Sequence, residues 1–210
     1  MEPRLSPIEE PPGVMMKIAY AMSRKMLGKV MTPMKVAYAR VPALTRLSMS
    51  MAKIMDGKLT IEPELRLLLT AQASALNGCG FCLDMSQAMA VQRGVGLEKF
   101  QALSEYGTHP LFSERERAAL DYVAEATRRC QVSDETFERL RAHFDDQEIV
   151  EITFVNAAEN FYNLFGGPLR IESDGLCAIA LDRKGHAMPR PERSAPQTSA
   201  SGVASEMRPG

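Results

Sequence analysis

The feature that most constrains this chain is the run LTIEPELRLLLTAQASALNG, residues 59–78, followed at once by CGFCLDMSQAMAVQR. Leu65, Leu68, Leu69, Ala73 and Leu76 recur at helical spacing behind Pro63, a residue tolerated in a first turn, with Thr60 as the N-cap candidate. Asn77-Gly78 ends this helix, and a second is expected from Cys79 to about Arg93, stopped by Gly94 and Gly96. The first helix therefore delivers the chain directly to two cysteines three positions apart.

The same signals recur along the rest of the chain. Pro33 and Pro42 divide the Met-rich segment 14–56 into helices near 14–30 and 43–56 around a short piece at 34–40. GLEKFQALSEYG reads as a shorter helix closed by Gly107. Ser113, three residues before Glu116, makes a capping-box pattern. Ser133 caps a helix with Asp134 and Glu135 in its first turn, and Asp145 or Asp146 opens another. ESDGLCAIALD is the exception, expected to be a short extended segment. The expectation is thus an all-α helical bundle, organised as an irregular arm over 1–13, a helical domain over 14–182 and a disordered tail over 183–210. That tail has four prolines and no aromatic, Leu or Ile with which to offset its ordering entropy.

A formal net charge of -1 gives no general attraction to nucleic acid, and no nucleic-acid-binding pattern occurs. The start, MEPRLSPIEEPPG, lacks the layout of a secretory leader, and no stretch approaches the roughly 20 apolar residues of a spanning helix. A cytoplasmic protein with no transmembrane segment is expected. Between Met15 and Met55 lie nine methionines, eight Lys and Arg residues and no acid. Such a stretch suits either an anionic surface or packing between helices and subunits, and the second is preferred because methionine is a routine gap filler.

Of the four cysteines, Cys130 and Cys177 stand alone and are expected to be buried as small apolar groups. Cys79 and Cys82 fall one turn apart on a helical face, within disulfide reach, where unpaired amides and the helix dipole stabilise a thiolate. Zinc would require about four ligands, yet there is no second CxxC and the three histidines are scattered. A redox dithiol is therefore expected over a metal site or an inert pair, with no cofactor.

EPELRLLLTAQASALNGCGFCLDMS, FSERERAALDYVAEATR and VSDETFERLRAHFDDQEIVEITFVNAAENFYNLF together resemble the alkyl hydroperoxidase D (AhpD)/carboxymuconolactone decarboxylase superfamily, over roughly residues 30–175. The resemblance implies an AhpD-like helical subunit in a homo-oligomer, trimer or hexamer. In the peroxidase branch, Cys82 corresponds to the thiol that attacks peroxide and Cys79 to its resolving partner. The family's relay histidine falls on Ser86 and its glutamate on Leu67, so neither base is present. Ser86 offers a hydroxyl one turn after Cys82 but is no base at neutral pH. Glu64 and His109 are the substitutes within reach, although each reads more simply as a surface residue.

The resulting expectation is a thiol-disulfide oxidoreductase or weak alkyl hydroperoxidase, with Cys82, Cys79 and Ser86 at its site. Its partners would be a small hydroperoxide or disulfide substrate and an external thiol or dithiol reductant. The alternative is a non-catalytic oligomer or binding module with a relic CxxC; decarboxylation of a lactone acid ranks below both.

Overall fold

The computed structural model describes residues 2–185. An irregular arm leads into α1 (Gly13–Leu27), a π-helical turn (Met34–Tyr38), α2 (Pro42–Gly57), α3 (Pro63–Leu76) and α4 (Gly80–Arg93). There follow α5 (Glu98–Gln101), a 3-10 turn (Leu103–Glu105), α6 (Glu114–Arg129), α7 (Asp134–Arg141), α8 (Asp146–Leu169) and α9 (Leu176–Arg183). No strand occurs among the described residues, and the expected disordered tail from 186 onward lies outside them.

The capping signals act as read. Ser113 and Asp145 each close a full capping box, with Glu116 and Glu148, and the Ser133 hydroxyl accepts the Thr136 amide. Thr60 does not cap α3: its amide and hydroxyl both donate to Glu151 of α8, which also accepts the Ile61 amide. α1 stops at Leu27, short of residue 30, because Gly28 turns left-handed at φ 90° and returns its amide to the Arg24 carbonyl. The helix expected in 96–107 divides into α5 and the 3-10 turn.

α3 is the axis of the molecule. Every residue from Leu65 to Ser74 is buried, with α4, α6 and α8 packed around it. Leu68, Leu69, Leu120, Leu140 and Ile152 are among the largest fully buried side chains. Each is worth about 1.5–3 kcal/mol of transfer free energy, set against the entropy of ordering the chain. A second cluster joins Leu27, Val36, Ile171 and Leu176 to the cysteine pair, and a third packs Met16, Tyr20 and Met34 beneath the arm.

The Met-rich segment is only partly core. Met16 and Met34 are buried, whereas Val14, Ile18, Met22 and Met26 form an exposed stripe along α1 at four-residue spacing.

The extended segment expected in 172–182 is instead α9. Gly175 sits left-handed at φ 71° just before it, and Leu176, Cys177, Ala180 and Leu181 form one buried face. The apolar pattern alone did not distinguish strand from helix here, and a side chain from α4 decides it, as described below.

Candidate active site

Cys79 is the N-cap residue of α4, and Cys82 lies in that helix's first turn. Their Cα atoms are 5.4 Å apart and their sulfurs are joined in a disulfide. The Cys82 amide donates to the Cys79 sulfur at 3.4 Å, so an orphan donor of the helix terminus points at a site where a thiolate would form. The pair is nearly closed to solvent, at 2% exposure for Cys79 and 6% for Cys82.

Two elements make that enclosure. From α8, Gly166 approaches so closely that an added Cβ would lie 2.7 Å from the Cys79 sulfur, so this position admits only glycine without movement. From the C-terminal side, α9 packs along α4 and places Leu176 and Cys177 in the same apolar cluster as the disulfide. α4 itself holds α9 there through Asp84. That carboxylate accepts the Leu176 and Cys177 amides, each at 2.8 Å, and the Ser173 hydroxyl at 2.8 Å. These bonds satisfy the first amides of α9 and complement its dipole. Burial, with the Asp84 charge added, pushes the Cys177 thiol up.

A polar seam runs beside the cysteines between α3, α4 and α8. The Thr70 and Ser86 hydroxyls lie 2.9 Å apart, and with one hydrogen each they have the Leu67 carbonyl, 2.9 Å from Thr70, and the Cys82 carbonyl, 3.0 Å from Ser86, as further acceptors in range. One turn along α3, the Ser74 hydroxyl lies 2.7 Å from the Thr70 carbonyl and 2.8 Å from Glu159 Oε1. Asn163 donates to the same Oε1 at 2.8 Å, and its own carbonyl oxygen accepts from Asn77 beside the cysteines. Burial pushes the Glu159 carboxyl up to about 7, only partly opposed by the hydrogen bonds from Ser74 and Asn163.

The residues singled out from the sequence divide accordingly. Cys79 caps α4, Cys82 lies in its first turn and Ser86 one turn further along it. Leu67 is buried in the main apolar cluster. Glu64 instead pairs with Lys99 at 2.9 Å, while His109 accepts the Leu111 amide and meets the edge of Phe112. Cys177 is buried as expected, but Cys130 is exposed, because it forms the left-handed C-cap of α6, where the chain turns at the surface.

Glu159, Asn163, Gly166 and Asp84 were not singled out. A signal for the first three exists: Ile152, Val155, Glu159, Asn163 and Gly166 follow one another at three- and four-residue steps, which places an acid within a buried helical stripe. Asp84 carries no such signal, since its partner amides lie 92 and 93 positions away.

Residues 42–125 match the carboxymuconolactone decarboxylase family. The chain is 29% identical over 177 residues to the uncharacterized protein YnjA of Escherichia coli, covering 83% of this chain and 96% of YnjA. Among solved structures, it resembles the debrominase Bmp8, whose cysteine-to-alanine variant was solved with 2,3,4-tribromopyrrole. The TM-score is 0.73, over 87% of this chain and 98% of Bmp8, and at 20% identity this likeness establishes the fold alone. It also matches a protein of unknown function from Agrobacterium tumefaciens that bears the AhpD name, at 30% identity and a TM-score of 0.61, over 66% of this chain and 96% of that one. With so much of that relative matched on a common helical fold, the chain belongs to the AhpD/carboxymuconolactone decarboxylase superfamily.

Proposed function

We propose that this protein is a thiol-disulfide oxidoreductase that reduces small apolar hydroperoxides by cycling Cys79 and Cys82 between dithiol and disulfide. The observation that carries the reading is the pair itself: two sulfurs one turn apart at a helix N-terminus, joined as a disulfide inside an apolar enclosure. The Cys82 thiolate attacks one peroxide oxygen, forming the S–O bond as the O–O bond breaks, and the departing alkoxide takes a proton to become an alcohol. The Cys79 sulfur then attacks the sulfenic sulfur, closing the disulfide and releasing water. Two electrons have passed from the dithiol to the peroxide.

An external thiol or dithiol returns those electrons. Attack at the Cys82 sulfur breaks the S–S bond and expels Cys79 as a thiolate, which the Cys82 amide and the dipole of α4 stabilise. Ser86 holds the register of α3 against α4 around Cys82 through its bonds to Thr70 and the Cys82 carbonyl. We further place the protein in a reducing, cytoplasmic setting as a homo-oligomer, in which the exposed stripe of α1 is subunit surface. No helix among the described residues is long and apolar enough to cross a membrane.

The test is a thiol count in a Cys130→Ser background, which removes the exposed bystander. One equivalent of cumene hydroperoxide should remove two thiols together. Cys79→Ser and Cys82→Ser should each prevent the paired loss, with dimedone trapping a sulfenic acid only in Cys79→Ser. Because one fold neighbour is a debrominase, 2,3,4-tribromopyrrole belongs among the electrophiles assayed. Thiols that survive every electrophile would leave the non-catalytic module as the correct reading.

A further inference from the structure

We propose that residues 171–183, a short strap followed by α9, form a lid over the disulfide, and that release of its Asp84 clasp admits an external thiol to the sulfurs. This inference rests on the dithiol reading of the site and concerns how the buried pair is reached.

Thiol–disulfide exchange requires a thiolate to touch a disulfide sulfur, yet Cys79 and Cys82 are both buried. Part of the enclosure has to move. α8 carries Ile152 and Val155 in the main core and cannot leave without dismantling it. The buried apolar side chains of 171–183, Ile171, Leu176, Cys177, Ala180 and Leu181, belong instead to the smaller cluster around the cysteines. They can lift while α3, α6 and α8 stay packed. The strap lies directly on the start of α4: a Cβ at Gly80, next to Cys79, would stand 3.7 Å from the Ser173 amide nitrogen. A Cβ at Gly166, which would meet the Cys79 sulfur, would also stand 4.0 Å from the Ile171 carbonyl oxygen. The strap therefore crosses the sulfurs' end of α4, and α9 runs on along that helix.

The fixed end of this segment is the last turn of α8, where the Arg4 amide and guanidinium donate to the Leu169 and Pro168 carbonyls at 3.0 and 3.1 Å. Two left-handed residues follow, Arg170 at φ 53° and Gly175 at φ 71°, so the chain turns through single residues before and after the strap. A hinge needs no more than a few such dihedrals. Polar contacts hold the lid down on two sides. Asp84 of α4 accepts the Ser173 hydroxyl and the Leu176 and Cys177 amides. Opposite, Asp174 of the strap accepts the Thr32 amide at 2.7 Å and hydroxyl at 2.8 Å, and pairs with Lys29 at 2.8 Å. Water can replace each of these bonds as it breaks, so the lid is closed at rest and opens transiently. In the open form a dithiol reductant attacks the Cys82 sulfur, the S–S bond breaks and Cys79 leaves as a thiolate. The reductant's second thiol then resolves the mixed disulfide and frees Cys82, so two electrons and two protons pass to the pair.

The test reduces the oxidised protein with dithiothreitol in a Cys130→Ser background, at concentrations where the rate stays proportional to reductant. Acid quenching, alkylation and mass spectrometry follow the pair. Amide exchange over 179–183, whose amides Asp84 does not touch, is measured beside it. Asp84→Asn should speed reduction about tenfold and exchange by the same factor, because both report one opening equilibrium. Asp174→Ala should also raise the two rates together, and it decides the matter if Asp84→Asn does not fold. Ser133→Ala, which removes the cap of α7 and so lowers global stability, should leave both rates unchanged. Exchange that quickens without reduction, or two aspartate variants that change neither rate, overturns the lid. Reduction quickened equally by Ser133→Ala also overturns it, since the sulfurs are then reached by global unfolding. A matched acceleration in a protein that consumes no hydroperoxide upholds the lid and overturns only the peroxidase reading.

Discussion

Glu159 makes a prediction about stability that does not depend on any catalysis. Its ordinary value is 4.5 and burial raises it to about 7, so the folded state holds a proton there that the unfolded chain releases through the intervening range. For a carboxyl with a raised folded value, the stabilising contribution is fully present below about pH 4.5 and is lost as pH rises through about 7. The difference, at about 1.4 kcal/mol per pH unit, amounts to about 3 kcal/mol. Because the residue is only 7% exposed, solvent screening removes little of it. Glu159→Gln approximates the neutral form: its amide oxygen, in the place of Oε1, accepts from both Ser74 and Asn163. The variant should match wild type within about 1 kcal/mol at pH 5 and exceed it by about 3 kcal/mol at pH 8. Urea unfolding of both proteins at half-unit pH steps, with the disulfide intact so that Cys79 and Cys82 do not titrate, reads this directly. Taking the difference cancels every other titrating group. A variant-minus-wild-type difference that stays constant from pH 5 to 8 would mean that Glu159 keeps an ordinary carboxyl and that the buried-acid reasoning is wrong.

Two further predictions concern the enclosure of the disulfide. Asp84→Ala removes three hydrogen bonds from the start of α9 and should cost about 2 kcal/mol or more. The loss should be local, seen as faster amide exchange over 176–183 and as reaction of Cys177 with a thiol reagent that leaves it untouched in wild type. Gly166→Ala should be destabilising by about 1–3 kcal/mol in thermal unfolding, because its methyl meets the Cys79 sulfur. In a Cys79→Ala background the same change should become favourable by up to about 1 kcal/mol through helix propensity, and a cost unchanged by that background would show that the sulfur is not the obstacle.

How much of this was legible beforehand depended on the range of the interaction involved. Ser113, Ser133 and Asp145 could be read as caps because each partner lies three residues away, and a helix start is settled by a few neighbouring side chains. The CxxC could be read as a pair within disulfide reach for the same reason: three positions are one helical turn, and the helix terminus beside them is part of the same local segment. Sequence alone therefore determined the helical class, most helix ends and the placing of Cys79 and Cys82 within disulfide reach at a helix start. The identity of residues 176–183 as helix did not follow, since it depends on Asp84 reaching across more than ninety positions to amides that a local pattern leaves unassigned. Cys130 looked like the other lone cysteine, and only its place at the left-handed end of α6 put it outside. Glu159 stood in an apolar stripe, but its proton affinity is set by desolvation, which exists only once α3 has closed over α8. Tertiary packing thus decided what encloses the sulfurs and which acid stays buried beside them, because burial and long-range hydrogen bonds belong to the assembled bundle and to no single stretch of it.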